Sequence, residues 1–357
     1  MKLRLDICIV LIGLLFIRCS SILDDKTFLP RATGGSGEII LVMDSAKWAG
    51  ELGEEIRNTF RAPFPGLIQG EPIFDLVYVD PDKFNSVLRN SRNLIFVSTL
   101  DGNSRGDIIL QNYFTQESRE TISADSNIYI SKQNDLFARG QAVMHLFQRN
   151  SELLIGHIMA NRNKIQHYFL DVEKARFRKA LYKAPREKGI ENQLLRNHQC
   201  FIQVPYGYEI ALETDHSMWI RLMDNKVDKS LFITYKDYTE EEAFHRKNII
   251  AFRDRAWKEF LLGNDSLSYM VTEPLVPIDS VSLKLRNKFT VQVRGAWKLK
   301  NNSLGGPFLG YVFVDEGLGR LYYVEGFVYS PGKKKRNTLR ELETILRTFQ
   351  TQTEHSS

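Results

Sequence analysis

Two short acidic segments carry side chains of the kind that bind metal ions. Asp44-Ser45-Ala46-Lys47-Trp48 follows an apolar run, where metal-adhesion sites have the pattern Asp-x-Ser-x-Ser. Alanine and tryptophan stand at the two serine positions, so we predict that Asp44 caps a helix instead. Residues 101–107 begin like a calcium loop, but Arg105 stands where that loop needs an oxygen donor. We predict a surface turn there, and we interpret its Arg-Gly-Asp tripeptide as a chance match.

The remaining reactive residue types form no recognisable constellation. No two of the following histidines are four positions apart, as a helical metal site would need: His145, His157, His167, His198, His216 and His245. The sequence contains no Gly-x-Ser-x-Gly elbow and no phosphate-binding glycine loop. Cys200 precedes an apolar run, which predicts a buried and inert thiol. We therefore predict no catalytic residue, no metal site and no cofactor.

Aromatic residues are concentrated in three consecutive predicted strands near the C-terminus. They are Trp297, Tyr311, Phe313, Tyr322, Tyr323, Phe327 and Tyr329. Aromatics beside glycines can stack on a sugar or receive a peptide, but we prefer a packed core with tyrosine hydroxyls at its rim. Phe327 is predicted to lie in that core, with Tyr322 in a less critical place. The basic run Lys333–Arg336 is predicted to be a solvated turn rather than a contact for phospholipid headgroups.

The N-terminus has the features of a secretory signal. Two basic residues precede the apolar run Ile7–Ile17, which is too short for a membrane helix of about 20 residues. Cys19 comes directly afterwards, as in the lipobox of bacterial lipoproteins, where the cysteine is acylated and becomes the first mature residue. We predict that residues 1–18 are a signal peptide and that Cys19 carries the lipid. Residues 19–37 are then the lipid anchor and a flexible, glycine-rich tether.

Two other interpretations of this N-terminus stay open. An ordinary signal peptidase would cleave after Ser21, and an uncleaved signal would itself act as an anchor. Arg18 keeps these alternatives open, because the residue before a lipobox cysteine is usually small.

Composition and charge limit the classes of function. The chain is 43% hydrophobic and 25% charged, which is typical of a globular protein and not of a disordered one. It has 48 basic and 43 acidic residues, a net charge of +5; removal of residues 1–18 leaves about +3. This balance gives no electrostatic surface for nucleic acid. Three cysteines are too few for a disulfide framework, and we expect a monomer.

Strands and helices alternate along the first half of the predicted folded part. The predicted strands are Glu38–Met43, Phe74–Val79, Leu94–Ser98 and Asn127–Ser131. Helical patterns between them imply parallel pairing in a three-layer βαβ arrangement over residues 38–190. From Asp135 to Lys183 the apolar spacing predicts two helices, with a break near residues 149–151.

The second half, residues 191–350, is predicted to be an antiparallel sheet with packed helices, followed by a tail at 351–357. Its first strands are predicted at Phe201–Val204, Tyr208–Glu213, Met218–Met223 and Leu231–Tyr235. Phe289–Leu299 alternates apolar and polar residues, which predicts one buried and one wet face. Capping boxes are predicted at Thr239 with Glu242 and at Thr338 with Glu341, and Gly305-Gly306-Pro307 is predicted to be a turn. The fold class is thus α+β, with a partly parallel sheet and an antiparallel one.

Several segments together resemble a family of envelope lipoproteins, domain of unknown function 4837. They are Ile39-Ile40-Leu41-Val42-Met43-Asp44-Ser45, Ala62-Pro63-Phe64-Pro65-Gly66, Arg294-Gly295-Ala296-Trp297 and Gly305-Gly306-Pro307-Phe308. The resemblance covers nearly the whole mature chain. It implies a secreted, lipid-anchored protein of bacteria with two membranes, and it supplies no activity.

The sequence therefore predicts a non-enzymatic binding or scaffolding protein of the cell envelope. It would be held by the lipid on Cys19 at the periplasmic or surface face of the outer membrane. Its partners would be that membrane and an envelope protein or glycan, and not nucleic acid. The alternative is an envelope hydrolase whose site is assembled from residues distant in sequence. Two converging carboxylates in a cleft would favour the hydrolase, and an aromatic groove would favour binding.

Overall fold

The computed structural model describes residues 28–67, 70–224, 227–262 and 265–356, which form two compact units. The first unit holds residues up to 61 together with 74–169, and the second holds residues 62–73 together with those from 170 onward. The predicted signal peptide and Cys19 lie outside the described residues. The predicted boundary after residue 190 stays a prediction.

The first unit contains a five-stranded, mostly parallel sheet. Its strands are β1 Glu38–Val42, β2 Asp75–Val79, β3 Asn93–Thr99, β4 Ile130–Asn134 and β5 Ala142–Gln148. They lie in the order β2-β1-β3-β5-β4, and β4 runs antiparallel to β5. Every residue of β3 and β5 is buried, as in a sheet that is covered on both faces. The predicted partly parallel sheet is therefore confirmed.

Helices and aromatic side chains cover the two faces of this sheet. The helices are α1 Ser45–Ala49, α2 Glu51–Phe60, α3 Ser86–Arg89, α4 Arg105–Gln111, α5 Gln116–Ala124 and α6 Ser151–Leu181. Phe60 and Phe74 both pack against Phe169 of α6 in edge contacts. A separate cluster contains Leu110 of α4 and Phe96 of β3. Helix α6 has a non-helical residue inside it, Asn161, which marks a kink.

The prediction of a helical segment from Asp135 to Lys183 is wrong for its first part. Residues Ala142–Gln148 are strand β5, and the predicted break at residues 149–151 separates this strand from α6. The run is buried on both faces, so its apolar residues show no two-residue alternation. A short continuous apolar run of this kind fits a buried strand and a helix equally well.

The predicted flexible tether is partly attached to the first unit. The backbone N–H of Ala32 donates to the carbonyl of Arg139 at 2.9 Å, and that of Thr33 donates to the carbonyl of Asn90 at 2.8 Å. The N–H of Arg139 donates in turn to the carbonyl of Pro30 at 2.7 Å. The glycine-rich composition indicated a free spacer, but backbone hydrogen bonds leave no mark in composition.

The second unit is built on an antiparallel sheet. Its strands are β7 Glu209–Glu213, β8 Ser217–Asp224, β9 Val227–Asp237, β10 Met270–Thr272, β11 Asp279–Leu285, β12 Lys288–Leu299, β13 Gly305–Asp315 and β14 Arg320–Tyr329. The order is β10-β12-β13-β14-β9-β8-β7, and β11 also pairs with β12. A separate pair joins β6 Cys200–Phe201 to β15 Gln350–Thr351. The predicted antiparallel half is confirmed, although the strand predicted at Phe201–Val204 is shorter.

Two helices cover opposite faces of this sheet. The helices of the unit are α7 Lys188–His198, α8 Arg246–Trp257, α9 Arg336–Leu346 and α10 Gln352–His355. Tyr322 packs in one core cluster with the buried face of α9, whereas Phe327 packs in another with Trp257 of α8. Phe327 is in the core as predicted, but Tyr322 is just as deeply buried. Among the described helices, none is long and apolar enough to cross a bilayer.

Both predicted capping boxes are wrong. Helix α8 begins at Arg246, and its N-cap His245 makes no side-chain capping bond. Helix α9 begins at Arg336, before the predicted start, and Glu71 accepts hydrogen bonds from its first backbone N–H groups. The cap thus comes from a residue far away in sequence, which a local pattern cannot reveal. The basic run before this helix is correspondingly not a free turn.

Two predictions about β12 and β13 are also wrong. Thr290 and Arg294 of the predicted wet face are buried, and Arg294 pairs at 2.9 Å with Glu343 of α9. Gly305 and Gly306 are strand residues that pair with Lys298 and Trp297, and the turn precedes them.

Candidate functional site

A pocket of about 570 Å³ lies at one end of the sheet of the second unit. Trp297 of β12, Gly305 and Gly306 of β13 and Tyr329 of β14 line it, and Leu304 precedes the glycines. Trp297 is directly opposite Gly306 in the strand register. A Cβ on Gly306 would lie 2.0 Å from the carbonyl oxygen of Val328, so no other residue fits there. No side chain therefore projects from position 306 towards the indole nitrogen of Trp297.

Trp297, which lines this pocket, has a buried hydrogen-bond donor that is unsatisfied among the described residues. The residue is 2% exposed, and its indole N–H has no partner among the described residues. The position of a Cβ on Gly306 would be 3.1 Å from the indole nitrogen, so a side chain there would crowd this donor. A buried N–H without a partner costs free energy, which a ligand with an acceptor group would recover.

The charged residues around the pocket are held by partners within the protein. Glu273 pairs with Lys298 at 3.1 Å. A hydrogen bond from the N–H of Leu275, together with Lys298, lowers the pKa of Glu273. Glu71 caps α9. These side chains make a polar rim of both charges, and the geometry presents no acid and base aimed at a common point.

A second polar cluster lies in the first unit, at the carboxyl ends of β1 and β3. The chain goes from β1 to β2 on one side and then to β3 on the other, and such switch points are where doubly wound sheets bind ligands. Asp44 follows β1, and Ser104 and Asp107 follow β3. Ser104 Oγ is 2.6 Å from Asp44 Oδ2 and 3.0 Å from Asp107 Oδ2, although Asp44 and Ser104 are sixty positions apart.

This cluster joins the two acidic segments that the sequence analysis considered separately. Asp44 caps α1 as predicted, since its Oδ1 accepts from the N–H groups of Ala46 and Lys47. The predicted surface turn is correct for residues 101–104 but wrong for residues 105–107, because Ser104 caps helix α4 and Asp107 is buried within it. Burial of Asp107 also removes the Arg-Gly-Asp tripeptide from use as an exposed recognition motif.

The cluster is closed by its own contacts. Lys47 Nζ donates to Asp107. The lysine thus supplies the positive charge that a metal ion would otherwise bring. Burial favours a higher pKa for Asp44, but hydrogen bonds from Ser104 and from the backbone of Lys47 and Ala46 lower it overall. Across the described ranges there is no group of three or more His, Cys, Asp or Glu residues that could hold a metal ion. The carboxylates of Asp44 and Asp107 do converge, but their oxygens accept hydrogen bonds from Ser104, Lys47 and the backbone. These bonds connect the segment after β1 to the segment after β3.

The other candidate residues lie apart from both features. His198 is buried and its Nε2 is 2.9 Å from Glu213, while His157 contacts the carbonyl of Ser126 at 2.7 Å. Cys200 is a free, fully buried cysteine, and burial raises the pKa of its thiol, as expected for an inert group. Cys19, the predicted lipid attachment site, lies outside the described residues.

Sequence reasoning found the aromatic strands but missed the free indole donor. The usable signal was the glycine pair, because two adjacent glycines in a strand mark a close approach. It points to Trp297 only once the register of β12 and β13 is known.

Comparisons with known proteins support the family but not an activity. Residues 187–348 match the family described as Domain of unknown function (DUF4837), and residues 32–182 match a second one, Domain of unknown function (DUF8532). The expected resemblance is thus confirmed for the second half, whereas the first half matches a different family. No curated protein matches the chain.

Two solved structures share a weak similarity with part of the chain. The Saccharomyces cerevisiae Ran-binding protein Mog1p is 11% identical, with 43% of this chain and 90% of that chain covered and a TM-score of 0.29. A point mutant of protein Mog1 is 10% identical over the same shares, with a TM-score of 0.28. Similarity at this level carries no information on what the chain does.

Proposed function

We propose that this chain, whose residues 187–348 match the Domain of unknown function (DUF4837), is a lipid-anchored cell-envelope protein. In this proposal it binds an extended segment of a partner protein. The pocket at Trp297 is the binding site. The proposed role is non-enzymatic, because the acidic residues described in the lining are used within the protein: Glu273 pairs with Lys298, and Glu71 caps α9.

The observation that carries this proposal is the unpartnered indole N–H of Trp297. An extended peptide offers a carbonyl acceptor at every residue, and aromatic-lined grooves recognise such segments through their backbone. A glycan would instead stack on an exposed aromatic face, and Trp297 is only 2% exposed. The paired charges Glu273 and Lys298 at the rim suit a polar peptide of low net charge.

Site-specific crosslinking in intact cells tests the binding site. A photo-reactive amino acid at Asn302, an exposed residue of the pocket, should give one discrete adduct with a partner protein. The same amino acid at Tyr206, which is 68% exposed and outside the pocket, should not give it.

A matched pair of tryptophan variants then tests the role of the donor. Trp297→Phe should lower the yield of the Asn302 adduct about tenfold, as expected for loss of one buried hydrogen bond. Trp257 is equally buried and its N–H is also unpartnered among the described residues, but it does not line the pocket. Equal adduct yields from Trp297→Phe and Trp257→Phe would contradict the proposal.

The lipid anchor rests on the leader and on Cys19. Cys19→Ala should move the protein out of the membrane fraction or leave an unprocessed precursor, and it should abolish incorporation of a labelled fatty acid. Cys200→Ala is the matched control, since that cysteine is buried in the fold. A wild-type protein that takes up no label would favour cleavage after Ser21 or an uncleaved signal.

A further inference from the structure

The first unit contains a second pocket, of about 520 Å³, whose floor is a row of uncharged polar side chains. Ser131 and Gln133 of β4 are two positions apart and so share one face of the strand. His145 of β5 is opposite Ser131 in the register, on the same face. No hydrogen bond from the side chains of these three residues to another described residue is present, although His145 is only 8% exposed.

His145 is held as a neutral ring. It stacks on Phe96, with ring centroids 4.9 Å apart. Burial lowers the pKa of His145 to about 4, and no charged neighbour contributes to the shift. Near neutral pH the imidazole therefore offers one donor nitrogen and one acceptor nitrogen.

Aromatic side chains form the rest of the lining, and one of them, Phe147, lies on β5 on the same face as His145. Phe114 and Phe147 contact each other edge to face with centroids 5.3 Å apart, and Tyr113 lies beside them. Tyr113 is 41% exposed, so its ring is available to a ligand, unlike that of Trp297. Glu117 is the one charged residue in the described lining, and it sits on the exposed side of α5.

We propose that this pocket of the first unit is a binding site for an uncharged saccharide. A sugar ring presents hydroxyl groups, which suit the Ser131, Gln133 and His145 row, and an apolar C–H face, which suits the aromatic wall. Among its described lining residues there is no lysine or arginine to neutralise an anionic ligand. The site is separate from the peptide pocket at Trp297 and does not depend on it.

Titration of the full chain with three neutral trisaccharides tests this proposal: maltotriose, cellotriose and triacetylchitotriose. Histidine-selective isotope labelling reports on the site, and the His145 signal is assigned by its absence from His145→Phe. At least one sugar in the millimolar range should shift this signal saturably, while the signal of the exposed His167 stays in place. No shift with any of the three sugars would overturn the proposal.

Variants separate binding from folding. Gln133→Leu changes an exposed residue and should keep the wild-type melting temperature, whereas Tyr113→Ala also removes a ring that packs on Phe96 and should lower it slightly. Both variants should weaken binding about tenfold at a temperature where they are folded. Tyr206→Ala, another exposed tyrosine, is the matched control and should bind as the wild type does. Equal affinity in Tyr113→Ala and Tyr206→Ala, or stronger binding of glucose 6-phosphate or indole than of every sugar, would also overturn the proposal.

Discussion

A fully buried ion pair in the second unit makes a quantitative prediction about stability. Arg253 donates from Nε to one oxygen of Glu325 at 2.6 Å and from Nη2 to the other at 2.9 Å, and both side chains are 0% exposed. Tyr323 donates to the same carboxylate, and the guanidinium lies 4.1 Å from the ring centroid of Phe308. Removing Arg253 leaves the buried carboxylate of Glu325 with only the Tyr323 hydroxyl, and removing Glu325 leaves the buried guanidinium with Asp254, at 3.0 Å, as its remaining acidic partner.

We therefore expect Arg253→Met or Glu325→Leu to destabilise the protein severely. Breaking a buried pair from one side typically costs about 3 to 5 kcal/mol. For a unit of this size that free energy lowers the melting temperature by roughly 6 to 20 °C. The double variant Arg253→Met with Glu325→Leu removes both charges, so it should be markedly more stable than either single variant.

Thermal and urea unfolding of the four proteins, followed by circular dichroism, gives the coupling free energy directly. Loss of only about 1 kcal/mol in each single variant would mean that water reaches the pair, as it does for surface ion pairs. Additive effects in the double variant would mean that Arg253 and Glu325 act independently. Either result would refute the inference drawn from their burial.

Two further predictions follow from buried residues. Phe327→Ala and Tyr322→Ala should each cost about 3 to 5 kcal/mol in urea unfolding, because both rings are buried on opposite faces of the same strand; a melt within a degree of wild type for Tyr322→Ala would contradict the described packing. The pKa of His145 falls from 6.5 to about 4 on folding, so the unfolded chain binds its proton more readily. Stability should therefore be intact above about pH 6.5 and fall by about 3 kcal/mol towards pH 4, relative to His145→Phe, which lacks this contribution. If the free energy of unfolding depended on pH in the same way in wild type and in His145→Phe, this prediction would be refuted.

Several strands and helix starts were predictable from residues that are neighbours in the sequence. The apolar run Glu38–Met43 and the capping residue Asp44 correspond to β1 and the start of α1. The aromatic strands near the C-terminus were also found, and Phe327 is in the core as expected. These features depend on neighbours along the chain, so a local pattern is sufficient.

The predictions that were wrong concern features that depend on residues distant in sequence. Strand β5 has no alternation because both of its faces are covered. Helix α9 takes its cap from Glu71 and not from a residue of its own first turn. Tyr322 was expected to be less critical because only one helix was considered, whereas α8 and α9 cover both faces of β14.

The candidate site shows the same limit. Its aromatic and glycine residues were visible in the sequence, but the unsatisfied N–H of Trp297 follows from the register that sets Gly306 opposite it. The convergence of Asp44 with Ser104 across sixty positions likewise needs the sheet order. Composition and spacing therefore indicated which residue types matter, and tertiary pairing determined what they do.

The central claim is that the indole N–H of Trp297 is the donor that a partner segment binds. The chain has four tryptophans, so its labelled indole groups give four NMR signals that single Phe variants assign. A peptide carrying the residue crosslinked to Asn302 should shift the Trp297 signal to a hydrogen-bonded position and leave that of Trp257 unchanged. Binding of that peptide with the Trp297 signal unmoved, or with both signals moved alike, would contradict the account.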